Sequence, residues 1–406
     1  MTIGRVVGVI AEYNPFHNGH RVHIEKSLAL SGADALVAVM SGNFTQRGEP
    51  ALIDKWRRAR TAAENGVDLA VELPFLYAVS SAEAFASGAV RLLNAMSCVT
   101  HLAFGCEEGA VAPLAEAARV FVAEPPRFKK ALRAALRAGR SFPRARAEAL
   151  RAEAGEAAAR LLDRPNNILA VEYLKQCILT GSRMTPVAVL RVGAGYFDVD
   201  PRARIAGASA IREMILAGNA EEALRYMPAQ ADSPAAQSLS DYFTLIAAAA
   251  RMRTGEELRE IVSASEGLEN RLIRALDRAS DMPSLLAAVK TARYTDTRVR
   301  RFLLHTLFGI TRARFAALDA AWPGYLRVLA LSERGGAILR LVKARTGLPV
   351  VTNPGKQRLD SPAAELLALD ILASDIYNLV ACGDMRERSD YRMRPFVRGL
   401  RAAVPG

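Results

Sequence analysis

The stretch Val6-Val7-Gly8-Val9-Ile10-Ala11-Glu12-Tyr13-Asn14-Pro15-Phe16-His17-Asn18-Gly19-His20 decides how this chain is read. Its first half is an apolar run that reads as a strand. Asn14-Pro15 then marks a tight turn. Two histidines follow, and the helical pattern Arg21 to Leu30 begins at once. A strand that ends where a helix begins brings free backbone N–H groups and a positive dipole end to one point, the usual way an α/β sheet holds a phosphate. His17 and His20 add side-chain donors for a phosphate under attack. Gly19 lacks the Cβ that would hold a nucleotide off. These residues, Gly8 through Arg21, are expected to form a nucleotidyl-transfer site.

Working outward, short β-branched runs alternate with helical patterns. The expected strands are 5–11, 35–40, 69–73, 99–104 and 186–191, with helices over 20–30, 55–64 and 82–95. That alternation predicts an α/β fold, a parallel sheet covered by helices, with ligand loops at the carboxyl ends of the strands. Each of the best motifs falls after a strand. Residues 112–162 read as a helical, Arg- and Ala-rich insertion punctuated by Pro125-Pro126 and Ser141-Phe142-Pro143. Beyond about residue 225 the pattern is mainly helical, with a linker from Met227-Pro228 to Ser233-Pro234 and one short strand, 349–352. A first domain over 1–225 and a second over 226–406 follow from this.

Length, charge and cysteine usage narrow the function class. A chain of 406 residues, 51% hydrophobic, can bury a large core, and no run reaches the roughly 18 apolar residues of a membrane span. The first strand starts with no signal-peptide pattern before it, and Cys98, Cys106, Cys177 and Cys382 are scattered, so a cytoplasmic protein without disulfides or structural zinc is expected. The net charge is +12. Three clusters carry it: Arg127 to Arg151; Arg293, Arg298, Arg300 and Arg301; and Arg386, Arg388, Arg392, Arg394, Arg398 and Arg401. Solvated arginines alone would explain the total, but three separate patches suit a long phosphate backbone better.

The string Glu12-Tyr13-Asn14-Pro15-Phe16-His17-Asn18-Gly19-His20 resembles the H-x-G-H signature of nucleotidyltransferases related to class I aminoacyl-tRNA synthetases, and more closely one branch, the bacterial tRNA(Met) cytidine acetate ligases. Further matches follow in the family's order: Ser41 to Pro50, Asp54-Lys55-Trp56, Val71-Glu72-Leu73-Pro74, Phe104-Gly105, Pro165 to Leu169 and Ala210-Ile211-Arg212. Tyr294-Thr295 to Arg298 and Asp375-Ile376-Tyr377 extend the resemblance more thinly. It implies a Rossmann-like nucleotidyltransferase domain that activates acetate with ATP as acetyl-adenylate. The acetyl group would then pass to the wobble cytidine of elongator tRNA(Met), giving N4-acetylcytidine. No protein partner is implied, and Mg²⁺ would accompany ATP.

The resemblance also implies roles. His17 and His20 would be catalytic, with Ser209 and Arg212 on a loop that neutralises departing pyrophosphate. Gly105, Asn166 and Arg191 would join the ATP contacts. Each has a plainer reading: Gly105 as a turn, Asn166 as a helix cap, Arg191 as a strand end, Asn14 as a loop cap, and Glu12 and Tyr13 as packing residues. His23 is expected on the helix surface or in solvent, and a metal triad with His17 and His20 is not expected. Asn43, Gln46 and Arg47 would form the floor of a carboxylate pocket or close over ATP, and Lys55 either binds an anion or is solvated. Gly207, Ser209, Cys106 and Phe197 depart from the family pattern. A small-molecule adenylyltransferase of the pantetheine-phosphate or nicotinamide-mononucleotide kind is the alternative.

Overall fold

The computed structural model describes residues 3–191, 205–228, 237–265, 267–291, 294–386 and 389–399. The first strand, β1 (Val6–Ala11), is central. It pairs in parallel with β2 (Ala35–Ser41) on one side, and with the strand at His101–Cys106 on the other. Beyond β2 lies β3 (Leu69–Leu73), so that the His101–Cys106 strand is β4, with β5 (Thr185–Leu190) outside it. All five run parallel, as the alternating pattern predicts. Helix α1 (Asn18–Ser31) follows β1, and α2 (Lys55–Glu64) lies between β2 and β3.

Alternate residues of β1 and β2 face opposite layers. Val6, Val37 and Val39 pack with the helices around Phe85 and Leu93, while Val7, Val9, Leu36 and Ala38 pack with Ile24, Trp56 and Ala59. Both faces are therefore dry, as a parallel sheet requires. The chain leaves β1 toward β2 on one side and later returns to β4 on the other. The crevice past the carboxyl ends of β1 and β4 is thus the topological switch point where such sheets bind ligands.

The segment after residue 225 corrects one expectation. Its described residues hold three strands rather than one: β6 (Leu326–Leu331), β7 (Val350–Val351) and β8 (Phe396–Val397). β6 adds to β3 antiparallel, and β7 and β8 both pair with β6. The sheet order is β5-β4-β1-β2-β3-β6-β7, with β8 also on β6. The second half of the chain thus completes the sheet begun by the first. The insertion over 112–162 is helical as expected, in helices Val111–Ala123, Pro126–Arg137 and Phe142–Arg160.

A buried ion network ties the halves together. Lys55 Nζ donates to Glu72 Oε1 and Oε2, both at 2.8 Å, and to Asp390 Oδ2 at 2.7 Å. Arg327 of β6 lies 3.7 Å from the same aspartate. All four are buried. Lys55 is therefore neither solvated nor open to an external anion, because three carboxylate oxygens already occupy it.

Candidate active site

A cavity of about 1340 Å³ opens at the switch point. Ile10, Ala11, Glu12, Tyr13 and Asn14 line it from the end of β1 and its turn, and His17, Gly19 and His20 from the start of α1. The local fold explains the placement. His17 is the N-cap of α1, in extended backbone, and its Nδ1 accepts the Gly19 N–H at 3.0 Å. His20, at the third helical position, returns the bond: its Nδ1 accepts the His17 N–H at 3.2 Å. The two histidines thus form a capping box in the place usually held by Ser and Glu. Their rings stack with centroids 3.8 Å apart.

This cap fixes the chemistry of the imidazoles. With each Nδ1 accepting a backbone N–H, each neutral ring carries its proton on Nε2. Burial, then the guanidinium groups of Arg191 and Arg212, pull the His17 pKa down to about 3. Burial and then His17 hold His20 well below the usual value. Both are neutral hydrogen-bond donors at physiological pH, suited to a phosphate that gathers negative charge and unsuited to general-acid work.

Gly19 lines the cavity and is needed for a further, structural reason. A Cβ there would lie 2.8 Å from His17 Cε1 and 3.0 Å from Nδ1, so the glycine makes room for the capping ring. His23 departs from expectation. It lines the cavity, its Nε2 is buried without a partner, and burial and Arg191 lower its pKa to about 4. Asn14 takes its plainer role, its Oδ1 accepting the Leu52 N–H at 2.9 Å.

The other expected contacts converge from distant segments. Arg212 Nη1 donates to the Asn14 carbonyl at 2.8 Å, and its Nη2 donates to Ser209 Oγ at 3.1 Å. Ser209 therefore steadies the arginine and does not cap its helix, whose N-cap is Gly207. Gly105 lines the cavity beside the Arg191 side chain. Asn166 does not cap either: its Nδ2 donates to Glu107 Oε1 at 2.6 Å. Gly8, Val9, Pro15, Phe16, Asn18 and Arg21 lie outside the lining. Gly8 packs under Leu93, and Val9, Pro15 and Phe16 are buried. The Asn18 N–H donates to the Tyr226 carbonyl, and Arg21 pairs with Glu25 at 3.7 Å on the surface. Phe197 falls outside the described residues.

The loop after β2 closes one side of the cavity with Gln46 and Arg47. The Gln46 N–H donates to Glu12 Oε1 at 2.7 Å. Sequence reasoning missed two residues here. Buried Arg58 donates to the carbonyls of Glu12 (2.5 Å), Ser41 (3.2 Å) and Gly42, binding the ends of β1 and β2 together. Glu107 holds both Asn166 and the Asn167 N–H. Seven of the ten residues of α2 are buried, Lys55 and Arg58 among them, so no apolar spacing in the sequence marked the arginine as an inward residue. Among the described residues no three His, Cys, Asp or Glu side chains are arranged to hold a metal.

A model of the HIGH nucleotidyl transferases matches residues 4–391. A tRNA(Met) cytidine acetate ligase of Caldanaerobacter subterraneus is 38% identical over 383 residues, 92% of this chain and 94% of that one. The ligase of the same name from Clostridium perfringens is 37% identical, covering 97% and 99%. Among solved structures, Thermotoga maritima TmcAL bound with alpha-thio ATP superposes with a TM-score of 0.88 at 32% identity over 97% of this chain and 99% of that one. Its apo form gives 0.89.

Proposed function

The chain belongs to the HIGH nucleotidyl transferases and, among them, to the tRNA(Met) cytidine acetate ligases, and on that premise we propose how its residues divide the reaction. ATP is bound at the switch point. An acetate oxygen attacks the α-phosphorus, the bond to the bridging oxygen of the β-phosphate breaks, and pyrophosphate leaves. The exocyclic amine of the wobble cytidine of elongator tRNA(Met) then attacks the acetyl carbon. AMP departs, the amine loses a proton, and N4-acetylcytidine results.

The observation that carries this reading is the histidine capping box. It presents two neutral Nε2–H donors at the positive end of the α1 dipole, whose first-turn N–H groups are already taken by Tyr226 and His17, where negative charge builds on the α-phosphate oxygens. Arg212, held by Asn14 and Ser209, and Arg191 face the β- and γ-phosphates. Mg²⁺ would come with the nucleotide and offset its charge. Of the cavity carboxylates, Glu12 already accepts the Gln46 N–H, Glu83 pairs with Lys175 at 2.5 Å, and Glu107 holds Asn166, so they do not fit a resident cation.

The RNA is held by basic surface. Arg127, Lys130, Arg133 and Arg137 of the insertion are exposed and carry no ion pair among the described residues. No described helix is long and apolar enough to cross a membrane, and we assign the enzyme to the cytoplasm with its tRNA. The deciding experiment is mass spectrometry of nucleosides from elongator tRNA(Met) incubated with the protein, ATP and acetate. Acetylcytidine at the wobble position is expected. An unmodified anticodon, with pyrophosphate still released toward nicotinamide mononucleotide, would replace this reading with the small-molecule one.

A further inference from the structure

The cations lining the cavity outnumber the acids able to neutralise them. Arg146 has Glu172 at 2.6 Å. Arg47, Arg191, Arg212, Arg298 and Arg301 have no ion pair among the described residues. They fall into two groups. Arg191 and Arg212 stand beside His17 and suit a triphosphate. Arg298 and Arg301 sit one turn apart on the helix Asp296–Phe308, which docks on the loop after β2. Arg47 stands between, in electrostatic reach of Arg212 and Arg300.

Among the described residues, the second group is held by neutral acceptors. Arg301 Nη1 donates to the Gln46 carbonyl at 2.9 Å. Arg298 donates to Ser265 Oγ and lies over the Tyr294 ring at 5.3 Å. Burial and the neighbouring Arg298 charge push the Arg301 pKa down to about 10. Two like charges held together in a half-buried wall without a counterion are unfavourable, and an incoming anion would relieve that. Thr295 and Thr297 line the cavity too; their hydroxyls bond to each other at 3.2 Å, which leaves one O–H to donate, whereas Ser263 donates to His305 Nδ1. One nucleotide does not fill the space either: a small-molecule pocket occupies about 300–1,000 Å³, and this cavity is about 1340 Å³.

We propose that Arg298 and Arg301 form a second anion subsite, which takes the phosphodiester flanking the acceptor cytidine of the RNA. The proposal rests on the acetylation reading, because a base that meets an adenylate must leave its stack, and its flanking phosphates must then be held. The arm lies in the same cavity as the ATP end, so a phosphate held there presents its base to the acetyl group. Acetate is the other anion of similar chemistry.

The test measures elongator tRNA(Met) binding across salt, and the acetate KM from ATP–pyrophosphate exchange, for the full chain and its Arg298→Gln, Arg298→Lys and Arg301→Gln variants. Each Gln variant is expected to make the slope of log affinity against log salt shallower by about 0.7, the value for one contact to single-stranded RNA. Arg298→Lys keeps the slope, and tRNA affinity shifts far more than the acetate KM. An unchanged slope overturns the subsite. A raised acetate KM with an unchanged slope assigns the pair to the carboxylate instead. If the parent protein lacks acetate-dependent exchange, the acetylation reading fails, while the salt slope still reports on the subsite.

Discussion

His17 and His20 act at once as helix caps and as proton-fixed donors. Replacing His20 with Ala removes an Nε2–H that acts in the transition state and the acceptor of the His17 N–H. Acetate-dependent pyrophosphate exchange should fall by about 10²–10³-fold, the usual loss for one such donor; an unchanged rate would remove the assigned role. The same burial has a consequence for pH. His17, His23 and His305 have folded pKa values of about 3, 4 and 3, below the usual 6.5. Between those limits the unfolded chain binds more protons. The stability these groups give is therefore complete above about 6.5 and is lost as pH falls, by about 1.4 kcal/mol per pH unit for each neutral histidine. Melting temperature should drop steadily from pH 6.5 to 4.5, before most carboxylates titrate, and a flat profile would contradict the burial. Exchange activity should show no acid limb near 6.5 from the two catalytic rings.

At the scale of elements, loop and helix contacts position the site. Gly48 has φ +75°, and a Cβ on it would lie 2.6 Å from Arg301 N. It lets the loop after β2 settle on the helix Asp296–Phe308, where Glu49 also pairs with Arg300. Gly48→Ala should destabilise the fold by about 1–3 kcal/mol, the range for a strained backbone, and weaken tRNA binding; an unchanged denaturation midpoint would show that the loop docks otherwise. The strand, turn and helix of the site were legible in sequence because a period change and an Asn-Pro turn are local signals. The loop after β2 was read toward the ligand, and Gln46 and Arg47 line the cavity, but its docking on the helix Asp296–Phe308 was not legible. Lys55 read as an anion contact or as solvated, and Arg58 carried no reading, because charge normally marks a helix's outer face. Contacts from other strands and loops turn that face inward: Glu72 and Asp390 on Lys55, and the carbonyls of Glu12, Ser41 and Gly42 on Arg58.

For the whole molecule, the sheet joins both halves of the chain. The five parallel strands could be read from their alternation with helices, whereas β6 could not: Leu326-Arg327-Val328-Leu329-Ala330-Leu331 has one β-branched residue and a buried arginine. Its place depends on pairing with β3 and on an ion network that no local window contains. Lys55→Met would leave Glu72 and Asp390 buried without their cation, and should cost about 3–5 kcal/mol in a denaturant titration. A loss below about 1 kcal/mol would mean that water reaches the pair.

Asp390 on Lys55 and β8 on β6 also set a timetable for biosynthesis. During translation the nucleotide-binding half leaves the ribosome first, yet its central ammonium has no complete set of counterions, and the flank of β6 stays open, until residues 390–397 emerge. Nascent chains stalled short of that point should remain sensitive to protease across β3 and α2, so catalytic competence would come only after nearly the whole described chain has been made.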